Sequence, residues 1–187
     1  MRAFIACVPP AADTEKLVTL CAEIRRIAPM LRCEHADKLH FTLEFLGEKT
    51  EAWMLECRAV LIAGLASVPS LTVSINRIGF FPAPAHPRII WAGSHPDENT
   101  ALCDLASHIK RLTVGLGHVA DPKPFHPHIT LSRVKVALPP DAAARIARIQ
   151  ISPIEFRCDT LSVIKSTLSP SGSRYETLES ISLNGAG

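Results

Sequence analysis

Apolar residues along the chain follow two rhythms, and these divide it into short strands and amphipathic helices. Arg2 to Val8 is an apolar, β-prone run stopped by Pro9-Pro10, which predicts a first strand. From about Asp13 to Ile27, the residues Leu17, Leu20, Cys21, Ile24 and Ile27 recur at three- and four-residue spacing, which predicts a helix capped by Asp13 or Thr14. Leu39 to Leu46 reads as a strand closed by Gly47, and Glu51 to Ala66 as a second helix. Leu71 to Ile78 reads as one strand, followed by the proline-rich loop Phe81 to Pro87. Arg88 to Ala92 is a short strand, and Glu98 to Val114 is another amphipathic helix. His128 to Val136 is strand-like, and Asp141 to Ile149 is helical with Asp141 at its start. Ile154 to Lys165 and Arg174 to Leu183 form a closing hairpin around Pro170-Ser171-Gly172. Several strands follow one another with no helix between them. That predicts an α+β or mixed α/β fold with substantial antiparallel sheet, not a doubly wound parallel one.

One internal echo changes the picture. Residues 40–43 read His-Phe-Thr-Leu and residues 128–131 read His-Ile-Thr-Leu, 128 − 40 = 88 residues apart and close to half the chain. In a strand, residues i and i+2 share a face, so His40 projects with Thr42 and His128 with Thr130. The residues between and after them, Phe41 with Leu43 and Ile129 with Leu131, supply an apolar backing. Two lobes that each give one such strand would bring two imidazoles and two hydroxyls into one cleft. A histidine pair titrating near pH 6.5 can hold one neutral and one protonated ring, the requirement for paired acid–base work at phosphorus. The threonine hydroxyls can hold non-bridging phosphate oxygens. A single His-x-Thr would signify little, but two apolar-backed copies half a chain apart point to a site. Metal binding by His126 and His128 is a rival, set back by the lack of cysteine and carboxylate ligands at recognisable spacing.

Composition bounds the class. The chain has 187 residues, 47% hydrophobic and 20% charged, which is ample for a core and excludes a disordered tail. Twenty Lys and Arg face eighteen Asp and Glu, so the net charge of +2 argues against a long nucleic-acid track and for a grip at a few points. Six scattered cysteines with no CxxC pair read as buried small hydrophobes in a reducing compartment. No stretch resembles a signal peptide or a membrane span, so a cytoplasmic monomer is expected.

The segments RAFIACVPP, KLHFTLEFLGE, IGFFPAPAHPRIIWAG, PFHPHITLSR and IKSTLSPSGSRYETLES, in this order, resemble the 2H phosphoesterase superfamily. Within it they resemble the RNA 2′,3′-cyclic phosphodiesterases, historically called 2′-5′ RNA ligases. The resemblance covers nearly the whole chain and is most specific at the two HxTx blocks. It implies one domain over residues 1–187, built of two intertwined, pseudo-symmetric lobes whose largely antiparallel sheets line a central cleft. It implies metal-independent, cofactor-free hydrolysis of 2′,3′-cyclic phosphate ends of RNA to 2′-phosphomonoesters, with reverse 2′-5′ ligation as a side activity. His40 would protonate the departing 3′-oxygen, His128 would activate water, and Thr42 and Thr130 would hold the phosphate. Phe45 and Arg133, each five residues past a motif histidine, would face substrate. Strict alternation puts both on the opposite face, so a bulge is needed to re-aim them, and core packing is the slightly favoured expectation for Phe45. Tyr175 is expected to be structural with a rim contact. Lys123, Lys135, Lys165 and Arg174 are expected as solvated charges that could make the rim basic. A non-catalytic RNA-end binding module and a phosphodiesterase for a small cyclic nucleotide such as ADP-ribose 1″,2″-cyclic phosphate remain open alternatives.

Overall fold

A computed structural model of the chain describes residues 1–139, 141–170 and 172–185. The elements run β1 (Arg2–Cys7), α1 (Ala11–Ile27), β2 (Phe41–Glu48), α2 (Glu51–Leu65), β3 (Leu71–Ile75), β4 (Arg77–Phe81) and β5 (Ile89–Gly93). There follow α3 (Thr100–Gly115), β6 (His128–Arg133), α4 (Ala142–Ala147), β7 (Ile154–Cys158), β8 (Thr160–Ser169) and β9 (Gly172–Ser182). Seven strands form one antiparallel sheet in the order β4-β5-β6-β2-β1-β8-β9, and β3 pairs with β7 in a separate ribbon. The architecture is thus mixed α/β with antiparallel sheet, as the element pattern predicts.

The sheet has two unlike faces. Ala3, Ile5 and Cys7 of β1, Phe41 and Leu43 of β2, and Ile129 and Leu131 of β6 point into the main core. There they meet Leu17 and Ile24 of α1, Leu61 of α2 and Ile109 of α3, all fully buried. Phe4 and Ala6 point to the other face and join Ile164 and Tyr175 in a small second cluster. Period-two alternation therefore splits one strand between the core and the opposite face, where the polar positions of the HxT motifs also lie.

Four local expectations are corrected. Leu71 to Ile78 is not one strand. It breaks at Asn76, whose backbone N–H donates to Gly93, and β3 and β4 go to different sheets. Ile154 to Lys165 likewise divides at Asp159 into β7 and β8. Pro10, not Asp13 or Thr14, caps α1; Asp13 lies in the first turn and pairs with Lys16 at 2.8 Å. Asp141 precedes α4 without a side-chain cap bond, and α4 ends at Ala147. The closing hairpin is present, and Ser171 of its turn lies outside the described residues.

Candidate active site

Strands β2 and β6 meet at one register pair, Phe41 with Ile129. These two residues are themselves 129 − 41 = 88 apart, so equivalent positions of the two motifs face each other, as a local twofold axis requires. Continued antiparallel from that pair, the register runs His40 towards Thr130 and Thr42 towards His128. All four side chains line one cleft of about 270 Å³, together with Phe45 and Arg133. A glycine makes the approach possible on the β5 side. Gly93 pairs with His128, and a Cβ there would lie 2.2 Å from the Pro127 carbonyl and 3.1 Å from the His128 Cα.

Both β-bulges needed to re-aim Phe45 and Arg133 are present, at equivalent places. Against β1, the step from Thr42 to Glu44 spans only Ala6 to Ile5. Against β5, the step from Thr130 to Ser132 spans only Trp91 to Ile90. Each bulge buries two successive residues, Leu43 with Glu44 and Leu131 with Ser132, which inverts the facing of the residues beyond it. Phe45 is consequently 62% exposed, which overturns core packing for it. Arg133 extends beside Glu34, Nε to Oε1 3.4 Å. Each buried polar residue of a bulge has a partner. Glu44 bonds His118 Nε2 at 3.1 Å, and Ser132 Oγ donates to the Arg32 carbonyl at 3.0 Å.

Each histidine is oriented from behind. His128 Nδ1 lies 2.7 Å from the His126 carbonyl. A carbonyl only accepts, so Nδ1 carries the hydrogen and Nε2 presents its lone pair. The His40 ring is hydrogen-bonded to the Lys38 backbone, again two residues back, and its Nε2 lies 3.1 Å from Thr42 Oγ1. Phe4 stacks on His40 at 4.8 Å and Tyr175 meets its edge at 5.6 Å. Phe81 meets His128 at 5.0 Å. The His126 ring packs edge-on against Trp91 at 4.7 Å. Among the described residues, no group of three His, Cys, Asp or Glu side chains is placed to hold a metal ion.

Burial holds both imidazoles below their ordinary range, and the nearby Arg133 guanidinium adds to the effect. For His40 the pKa falls to about 4, with the charge of His128 contributing. Burial thus disfavours the charged form of both rings in the free protein. Burial raises the Tyr175 phenol.

Several lining residues escape a motif-based reading: Arg2 and Phe4 from β1, Lys38 before β2, and Ser166, Ser173 and Tyr175 from the β8–β9 hairpin. The basic lining comes from Arg2, Lys38 and Arg133, and none of Lys123, Lys135, Lys165 and Arg174 contributes to it. Lys165 instead pairs with Glu176 at 3.3 Å. Arg2, Phe4, Lys38, Ser166, Ser173 and Tyr175 all lie within the segments that carry the resemblance, but of these Tyr175 alone is singled out, and it stands in the wall beside His40.

This antiparallel sheet with a duplicated histidine–threonine cleft belongs to a defined class. The family described as the 2′-5′ RNA ligase superfamily matches residues 18–169, and the chain belongs to that family. Among curated relatives, the RNA 2′,3′-cyclic phosphodiesterase of Thermotoga maritima is 33% identical over 143 residues, 76% of this chain and 74% of the relative. That of Aeropyrum pernix is 25% identical over 178 residues, covering 92% and 97%. Among solved structures, a Thermus thermophilus protein superposes with a TM-score of 0.81 at 26% identity, covering all of both chains. Escherichia coli LigT complexed with 3′-AMP gives 0.75 at 25% identity, covering 97% of each.

Proposed function

We propose that this protein hydrolyses 2′,3′-cyclic phosphate ends of RNA to 2′-phosphomonoesters, with His40 as general acid and His128 as general base. The observation that carries this is the convergence of both His-x-Thr pairs on one cleft of about 270 Å³, with the His128 Nε2 lone pair left free by the bond at Nδ1. Water attacks phosphorus and gives its proton to His128. The bond from phosphorus to O3′ breaks, and His40 delivers a proton to that oxygen, leaving the phosphate on O2′. Thr42, Thr130 and the Arg133 guanidinium hold the non-bridging oxygens as charge builds. Phe45, exposed at the rim, offers a face on which a base stacks. The phosphodiester anion itself opposes the downward pKa shift of His40 and favours its protonated form. With a 5′-hydroxyl in place of water, the same displacement yields a 2′–5′ linkage.

This reading extends to the whole chain. Residues 1–187 form one domain of two intertwined lobes related across the Phe41–Ile129 pair, acting as a monomer in the cytoplasm. All six cysteines are free thiols, consistent with a reducing compartment. The relatives named as RNA 2′,3′-cyclic phosphodiesterases support the substrate class. The test is to incubate the protein with an oligoribonucleotide ending in a 2′,3′-cyclic phosphate, with EDTA present, and to identify the product by 31P NMR. A 2′-phosphate is expected at a rate unaffected by EDTA. A 3′-phosphate, or turnover that needs added metal, contradicts the assignment.

A further inference from the structure

Two thiols, Cys21 of α1 and Cys33 of the stretch before β2, meet behind the bulge of β6. The Cys33 thiol donates to the Cys21 carbonyl at 3.5 Å, and its sulfur accepts from the Cys21 thiol. Cys21 Sγ in turn lies 4.0 Å from the carbonyl of Leu131, a residue of the bulge. Cys33 bridges to Ser132, which also donates its hydroxyl to the Arg32 carbonyl at 3.0 Å. The Glu34 N–H donates to the Leu131 carbonyl at 2.7 Å. The stretch from Arg32 to Glu34 is therefore stitched along β6 where the bulge turns Arg133 towards the cleft. Glu34 carries the carboxylate that pairs with the Arg133 guanidinium, Nε to Oε1 3.4 Å.

The two sulfurs are unequal. Cys33 is half-buried, whereas Cys21 is only 3% exposed. The hydrogen bond from Cys21 holds the Cys33 thiol below its ordinary range, with the Arg25 guanidinium acting in the same direction against the effect of burial. The same contact, together with burial, raises Cys21. An accessible sulfur drawn towards the thiolate beside a buried, protonated thiol is the arrangement of an attacking and a resolving cysteine. The other thiols lack it. Cys7 and Cys158 also form a hydrogen-bonded pair, but both are buried in the core. Cys57 is buried, and burial raises Cys103.

We propose that Cys21 and Cys33 form a redox modification site, which a hydroperoxide oxidises to a reversible disulfide that weakens the hold of Arg133 on phosphate. The effect on phosphate rests on the cyclic phosphodiesterase reading above. The Cys33 thiolate attacks a peroxide oxygen and the O–O bond breaks. Sulfur is oxidised to the sulfenic acid, and the departing oxygen takes up the proton that Cys33 released. The Cys21 sulfur then attacks the Cys33 sulfur, the S–O bond breaks, and the hydroxyl leaves as water with the Cys21 proton. With hydrogen peroxide, two thiols and one peroxide give one disulfide and two waters. A covalent bond brings the sulfurs closer than the hydrogen bond it replaces, so Cys33 moves towards α1. That helix packs on the core side of the sheet, while Arg133 lines the cleft on the other, so Glu34 is drawn away from the guanidinium. A thiol reductant reverses the step by exchange.

The test treats the reduced protein with hydrogen peroxide, blocks residual thiols with N-ethylmaleimide and maps the peptides by mass spectrometry. A Cys21–Cys33 disulfide that dithiothreitol removes is expected in the wild type. Cys21→Ala is expected to stop at a sulfenic acid on Cys33 that dimedone labels, and Cys33→Ser to leave Cys21 unoxidised. A wild-type map in which Cys21 and Cys33 stay alkylated, or in which Cys33 is oxidised without joining Cys21, overturns the site. Oxidation is expected to raise KM for a 2′,3′-cyclic mononucleotide about tenfold, the worth of one charge-assisted hydrogen bond, in the wild type and not in Cys33→Ser. It is also expected to move the Arg133 Nε–H resonance in a 1H–15N spectrum. A disulfide that leaves KM or that resonance unchanged overturns the link to Arg133. If the reduced protein turns over no cyclic phosphate, the parent reading fails instead, and the mass map and the Arg133 resonance still decide the site.

Discussion

At His40 three neighbours act on one ring: Phe4 stacks on it, Thr42 lies at hydrogen-bond distance from Nε2, and Tyr175 closes its edge. Burial outweighs the favourable backbone bond at Lys38, and the pKa falls to about 4. The unfolded chain binds a proton near pH 6.5, so between pH 6.5 and 4 it takes up more protons than the folded one. Stability from this group is therefore present above pH 6.5 and is lost as pH falls towards 4. Thermal melts across this range should show a falling midpoint, and His40→Gln should flatten that slope; a variant with the wild-type slope would show that His40 is not the group responsible. Gly93 makes a second residue-scale demand. With the Pro127 carbonyl 2.2 Å from where a Cβ would sit, Gly93→Ala should cost about 1–3 kcal/mol in denaturant unfolding and slow turnover by displacing His128. Unchanged stability and activity would mean that β6 gives way freely. The HxT pairs were legible because period-two alternation acts within three residues. Phe45 was not, because its direction depends on a bulge that apolar periodicity does not reveal.

The two bulges are the element-scale device that turns a pair of strands into a site. Each inserts one residue after the His-x-Thr pair, buries a polar side chain and leaves the next residue facing the cleft. Glu44 holds the first bulge through His118, a partner from the loop after α3, and both are nearly buried, with side chains 9% and 6% exposed. Glu44→Leu strands the His118 imidazole without its partner, at a cost of about 1–3 kcal/mol. It should also raise KM for a nucleotide substrate by about 2–10-fold through a misplaced Phe45, with kcat less affected. Equilibrium unfolding and steady-state kinetics check both effects; wild-type KM alongside lowered stability would confine Glu44 to a structural role. Strand positions were readable from apolar alternation. The divisions at Asn76 and Asp159 were not, because alternation continues across a single residue at which the chain changes sheets.

At the scale of the molecule, the cleft draws on segments that are remote in sequence. Arg2 and Phe4 come from the first strand, Lys38 and His40 from the approach to β2, and Ser166, Ser173 and Tyr175 from the last hairpin. No local pattern in the chain links these positions. Only the strand order, with β1 between β2 and β8, assembles them. The duplication was legible as an 88-residue offset, and the Phe41–Ile129 pair gives that offset its spatial meaning. Among the described residues no helix is long and apolar enough to cross a membrane.

The most direct measurement is the rate of hydrolysis of a 2′,3′-cyclic phosphate terminus by His40→Ala and His128→Ala, each with its fold verified by circular dichroism. Each substitution should lower kcat by about 10²–10⁴-fold, the usual contribution of a positioned acid or base. Retention of turnover within about tenfold of wild type by either folded variant would show that the two rings do not share the proton transfers, and would contradict the mechanism.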